Sequence, residues 1–233
     1  LAARIVRYTH GGAGGGNRMT ATVAQPSDVV VGIRSVQADA ERGDKVYNEF
    51  YRTGGWKYSF WTEYRWHRRH VLKRFRLRRG MTMLEVACGN GFHTNLFNRM
   101  GFHCIGVDRS RMGIAWAREH YPRNLYYRFD IGGELPVDRG GFDVVLARGC
   151  SHYHYDLMTD QARTTTLNLM RYLKPAGVFI MVIVTDLSGR RDPGQIWHNT
   201  LADYERHFAS FGLRSSVDWT TGTAICGLWN ERA

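Results

Sequence analysis

Met81-Thr82-Met83-Leu84-Glu85-Val86-Ala87-Cys88-Gly89-Asn90-Gly91 is the stretch that decides how this chain folds. Met81 to Ala87 is apolar apart from Thr82 and Glu85, the profile of a short strand buried on both faces of a parallel sheet. Cys88-Gly89-Asn90-Gly91 then predicts a tight turn, where missing Cβ atoms let a ligand approach the backbone. A helical pattern opens at Phe92. Strand, glycine turn and helix N-terminus form the nucleotide-type site of doubly wound α/β sheets. Glu85 is the unusual residue. A carboxylate at the end of a buried strand is costly unless a partner answers it, and a ligand ammonium would do so.

The pattern continues outward. Phe102 to Val107 predicts a second strand with Asp108 at its tip, seventeen residues past Gly91. An acid there can accept hydrogen bonds from ribose hydroxyls; its other reading is a cap for the following helix. Leu125 to Phe129 predicts a third strand closed by Asp130-Ile131, Phe142 to Ala147 a fourth, and Val178 to Val184 a fifth. Helices are expected over 92–100, 110–120, 156–172 and 200–211, and a strand–turn–strand over 213–229. A nicotinamide fingerprint asks for Gly-x-Gly-x-x-Gly, and Gly89-Asn90-Gly91-Phe92-His93-Thr94 lacks the third glycine.

Glu85 to Gly91 resembles the acid-x-Gly-x-Gly-x-Gly motif of class I S-adenosylmethionine-dependent methyltransferases, with Ala87 in place of the first glycine. Asp108-Arg109-Ser110, Asp130-Ile131 and Leu173-Lys174-Pro175-Ala176-Gly177 resemble that family's later landmarks, so the resemblance covers about 80–231 in order. It implies a Rossmann-like, seven-stranded, mostly parallel sheet with helices on both faces and a closing antiparallel pair. It also implies S-adenosylmethionine as cofactor and S-adenosylhomocysteine as product. Glu85, with backbone around Ala87, Gly89, Gly91 and Arg148, would hold the amino-acid end of the cofactor. Asp108, followed by Arg109, would hold the ribose, and Asp130 and Ile131 the adenine.

The fourth strand runs into Arg148-Gly149-Cys150-Ser151-His152-Tyr153-His154-Tyr155-Asp156, a loop expected at the carboxyl edge where ligands sit. His152 is the candidate general base, since an imidazole titrates near neutrality; its other reading is a helix-capping histidine. His152 and His154 supply half a metal site at most, so no metal is expected.

Three regions follow: a disordered tail over 1–34, a helical lid over 35–79 and the cofactor-binding domain over 80–233. Gly11-Gly12-Ala13-Gly14-Gly15-Gly16 builds no core, and Met19 is a candidate start, with a natural tail as the other reading. Helices are expected over 35–53 and 60–77, the second turning Trp61, Tyr64, Val71, Leu72 and Phe75 inward. Tyr47, Tyr51, Trp56 and Tyr58 resemble the aromatic lid of small-molecule methyltransferases, where ring faces exclude water and attract a sulfonium.

The net charge of +11 is concentrated. Lys57, Arg65, Arg68, Arg69, Lys73, Arg74, Arg76, Arg78 and Arg79 face Glu63 alone over 57–79, and Arg4, Arg7 and Arg18 add the rest. The basic helix reads as a solvated face or as a phosphate grip for RNA. No apolar run reaches the roughly 18 residues a bilayer span needs, so no membrane partner is expected. Cys88, Cys104, Cys150 and Cys226 form no Cys-x-x-Cys pair; with no secretory pattern, a cytoplasmic protein is expected. The expected activity is methyl transfer to a small molecule. An RNA or tRNA methyltransferase and a non-catalytic cofactor-binding module are the alternatives.

Overall fold

The computed structural model describes residues 45–191 and 197–231, with the backbone of two short strands near the N-terminus. It divides into residues 1–46 and 47–233. In the first unit, β1 (Val6–Arg7) pairs antiparallel with β2 (Thr22–Val23). The expected tail and most of the helix at 35–53 otherwise lie outside the described residues, which are helical over 45–52 (α1).

The second unit is built on one seven-stranded sheet. Its strands are β3 (Thr82–Val86), β4 (His103–Asp108), β5 (Leu125–Arg128), β6 (Phe142–Arg148), β7 (Leu173–Val184), β8 (Ser215–Thr220) and β9 (Thr223–Trp229). Their order across the sheet is β5-β4-β3-β6-β7-β9-β8. The first five run parallel, and β9 and β8 close the edge antiparallel. The chain leaves central β3 to build outward on one side, then returns beside it with β6. That reversal is a topological switch point, where the carboxyl ends of adjacent strands open a crevice.

Alternation along the strands sorts the core into two layers. Leu84, Val86, Val145, Ala147, Phe179 and Met181 face one way, packing with Leu169 and Met170 of α5 (Asp160–Met170) and Tyr204 and Phe208 of α6 (Leu201–Ala209). Met83, Val144, Leu146, Ile180 and Val182 face the other way. They meet Phe92, Leu96 and Phe97 of α3 (Phe92–Arg99), and Val71 and Phe75 beyond α2 (Phe60–His67). The remaining helix, α4 (Arg111–His120), packs on β4 and β5.

Local chemistry sets the helix starts. The hydroxyls of Ser110, Thr159 and Thr200 accept N–H bonds from Gly113, Ala162 and Asp203, and Thr200 with Asp203 completes a capping box. The Thr159 cap explains why α5 begins after the expected 156; a short 3-10 turn at Ser151–Tyr153 precedes it. The helix expected over 60–77 is also shorter. After α2 it becomes a π-helical turn, Arg68–Leu72, and then turns. Its inward side carries Glu63, His67 and Val71 at intervals of four, so Trp61 lies opposite and is 64% exposed, against expectation.

Candidate active site at the carboxyl edge

The turn after β3 is held by backbone geometry. Ala87, Gly89 and Gly91 have φ of 57°, 55° and 75°. Glycine adopts this region freely; alanine at 87 is held there against its preference, at a cost on the order of 1–2 kcal/mol. Each glycine also has a steric role. A Cβ on Gly91 would strike Ala117 and Tyr126 at 2.6 and 2.7 Å, and one on Gly89 would strike the Tyr51 ring. Gly91 therefore serves the fit of the turn against α4 and β5, where the Tyr126 hydroxyl donates to its carbonyl.

Asp108, 7% exposed at the tip of β4, ties this turn to α4. Its Oδ2 accepts the Gly89 N–H and its Oδ1 the Ser110 N–H, both at 2.8 Å. An ionised carboxylate has about four acceptor positions, and this one borders the cleft. Around it opens a cleft of about 480 Å³. Ala87, Asp108, Arg109, Asp130, Ile131 and His152 line it, with Tyr47 and Tyr51 from α1. Asp130 is half exposed, 4.0 Å from the Arg109 guanidinium, and Ile131 beside it is buried.

The structure thus brings most of the expected residues together and sets others apart. Glu85 is one: it is 2% exposed and lies beneath the turn, outside the cleft lining. Thr94 of α3 answers its carboxylate through a hydroxyl hydrogen bond. Burial still pushes this carboxyl up to about 7, against the pull of Thr94 and Arg148. Arg148 is another. It shares a face of β6 with Val144 and Leu146, so its side chain lies on the α2–α3 side while its backbone leads to the cleft. There its Nη2 meets Glu63 Oε2 at 3.0 Å and its Nη1 the Tyr58 hydroxyl at 3.3 Å.

The four lid aromatics divide in the same way. Tyr47 and Tyr51 line the cleft, Tyr58 packs on Phe92 and His93, and Trp56 is 64% exposed, edge-on to Phe50. His152 lines the cleft on the Asp130 side; burial lowers its pKa, with Asp130 opposing and Arg109 adding to the shift. His154 is lowered to about 4 by burial and by His198.

Three side chains, Asn90, Asn48 and Glu63, hold the lid, and their partners were not evident from the sequence. Asn90 Nδ2 donates to the carbonyls of Gly54 and Trp56, at 2.6 and 3.1 Å. Asn48 Oδ1 accepts from the Ser110 hydroxyl and the Met112 N–H. Glu63 Oε2 accepts from His93 Nε2 at 2.9 Å and lies 3.5 Å from His67 Nδ1. The Glu63/His67 spacing of four was the available signal; His93 is distant in sequence. Among the described residues these three bring a carboxylate and two imidazoles within 4.8 Å of one another. The Arg148 guanidinium, however, takes the cationic place beside that carboxylate. Burial first, then neighbouring cationic groups, holds both imidazoles well below their ordinary pKa.

The arrangement fits an adenosyl group: a carboxylate at a strand tip for a diol, an apolar Ile131 wall for a ring, and a glycine turn for close approach. Residues 84–181 match the family described as "Methyltransferase domain". A "Probable S-adenosylmethionine-dependent methyltransferase" from Mycolicibacterium smegmatis is 30% identical over 139 residues, 57% of this chain and 52% of the relative. A "Ubiquinone biosynthesis O-methyltransferase" from Rhodopseudomonas palustris is 34% identical over 110 residues, 46% of this chain and 40% of the relative. The chain thus spans about half the length of these curated relatives. Among solved structures, a SAM-dependent methyltransferase from Aquifex aeolicus aligns with a TM-score of 0.55 at 17% identity, covering 75% of this chain and all of that one. A Pyrococcus horikoshii protein aligns with a TM-score of 0.59 at 20% identity, covering 76% and 92%. Strand order, glycine turn and the matched stretch 84–181 together make this chain similar to class I S-adenosylmethionine-dependent methyltransferases, with which it shares the fold.

Proposed function

We propose that the protein transfers a methyl group from S-adenosylmethionine to a small-molecule acceptor. The single observation that carries this reading is Asp108, whose carboxylate joins the glycine turn to α4 and faces the cleft. When bound, S-adenosylmethionine supplies a methyl already activated on a sulfonium. The chain's own residues then have three tasks. Asp108 accepts hydrogen bonds from the ribose, while Asp130 and Ile131 meet the adenine. Ala87, Gly89 and the backbone at Gly149 shape the path to the amino-acid end. Tyr47 and Tyr51 close over the cleft and exclude water. Orientation is the main contribution, for which well-placed pairs gain roughly 7–11 kcal/mol.

Glu85 is assigned a supporting part under the turn, given its bond to Thr94. The helical segment from α1 through the π turn acts as the lid of a domain beginning near residue 80. Four free, buried thiols are in keeping with a reducing compartment. Among the described residues no helix is long and apolar enough to cross a membrane. The exposed cations Arg65, Arg68, Arg69 and Lys73 sustain RNA as a second acceptor class. Incubation with S-adenosylmethionine and either a metabolite extract or total RNA, followed as S-adenosylhomocysteine release, tests the reading. Release that depends on the extract supports it. Release only with RNA moves the acceptor to nucleic acid, and none with either counts against transfer.

A further inference from the structure

On the α2–α3 side of the sheet, Arg148, Val182 and Val184 continue their strands' alternation into a second cavity, completed by Glu63, Trp66 and Thr223. Gly149 lines both cavities. It has φ of 62°, and nothing lies within 4 Å of the place its Cβ would take. Gly149 therefore puts no side chain between the two cavities it borders.

The walls of the second cavity divide by chemistry. Trp66, Val182 and Val184 offer a flat and an apolar surface. Glu63 offers a carboxylate held from behind, its Oε2 taken by Arg148 at 3.0 Å and His93 at 2.9 Å. No hydrogen bond from the described residues reaches its Oε1, and the side chain keeps 16% exposure. A carboxylate held through one oxygen, lining a cavity beside an aromatic ring and two valines, is suited to accept a proton from a hydroxyl.

We propose that this second cavity receives the methyl acceptor, a flat hydroxylated aromatic, and that Glu63 is the catalytic residue that takes its proton. This rests on the methyl-transfer reading above. The acceptor oxygen forms its bond to the methyl carbon as the carbon–sulfur bond breaks, leaving the electron pair on sulfur, and the hydroxyl proton passes to Glu63. The positive sulfonium and negative carboxylate become a neutral thioether and a neutral acid. His93 and Arg148 are positioning residues that fix Oε2 and leave Oε1 for the proton. His152, in the first cavity, is not placed for this proton.

Catechol and the more acidic 4-nitrocatechol are the probes. Calorimetry with protein saturated in S-adenosylhomocysteine measures their binding, and S-adenosylhomocysteine release measures turnover. Catechol is expected to bind and be methylated. Glu63→Gln should keep catechol and S-adenosylmethionine affinities within about threefold while kcat for catechol falls about 10²-fold or more. The loss should be clearly smaller for 4-nitrocatechol, whose hydroxyl needs less help to ionise; a merely structural defect would slow both alike. Trp66→Ala should raise the KM for catechol about tenfold with kcat kept, which tests the cavity should the Glu63 variant fail to fold. The proposal is overturned if wild type binds S-adenosylmethionine but neither phenol, if Glu63→Gln slows both phenols equally or not at all, or if Trp66→Ala leaves KM unchanged. If wild type fails to bind S-adenosylmethionine, the methyl-transfer reading itself falls.

Discussion

Glu85 sits where a strand meets the glycine turn, and burial raises its carboxyl to about 7. An unfolded chain releases that proton near 4.5. Between those values the folded state holds the proton that the unfolded state has lost, so stability falls as pH rises through the window and levels off above it. The span is worth about 3 kcal/mol. Glu85→Gln keeps an oxygen for the Thr94 hydroxyl without the charge. It should leave stability near pH 4.5 little changed and raise it by a few kcal/mol at pH 8, measured by urea unfolding across that range. An equal gain at both pH values would show that Glu85 is not the titrating group. At this scale the sequence was only partly legible. Asp108 could be read because a strand tip followed by a helix start leaves an acid few places to point. The partner of Glu85 could not be read, because Thr94 reaches it through the fold of α3 over β3. Asn90 and Glu63 were missed because their partners, the carbonyls of 54 and 56 and the side chains of His93 and Arg148, are long-range contacts.

The lid is an element held by few bonds. α1 is pinned through Asn48, the chain at 54–56 through Asn90, and α2 through Glu63. Removing the Asn90 amide strips two donors from carbonyls 54 and 56, and each such bond contributes about 0.5–1.5 kcal/mol. Asn90→Ala should therefore speed amide exchange over 47–58 by about tenfold, with protection in β3 and β6 unchanged by the same hydrogen-exchange measurement. Unchanged exchange over 47–58 would mean that the lid is held elsewhere. Periodicity anticipated the helices here but not the π turn after His67, which a helical wheel of constant pitch cannot show. The extra residue per turn ends the regular helix early. Strands were the more legible elements, because burial on both faces leaves nearly continuous apolar runs such as Val178 to Val184. β7 nevertheless begins earlier, at Leu173, across a register shift in its pairing with β6.

Across the whole molecule, the sheet order follows from a simple rhythm of apolar strand, polar tip and amphipathic helix, repeated until the closing antiparallel pair. That rhythm made the fold readable from 80 onward. The lid had no comparable rhythm, and its partners lie on strands far away in the chain. The positive charge stands apart from this design: exposed cations cluster beyond α2, while the cleft pairs Arg109 with Asp130 and the second cavity pairs Arg148 with Glu63. Calorimetric titration with S-adenosylmethionine, of wild type beside Asp108→Asn, bears most directly on the central claim. The substitution puts an amide N–H against a backbone N–H that now donates to the carboxylate, leaving a donor unpaired at a cost of about 1–3 kcal/mol. The account predicts one site per chain for wild type and affinity weakened at least tenfold by Asp108→Asn. Absence of binding by wild type, or equal affinity in the two proteins, would contradict it.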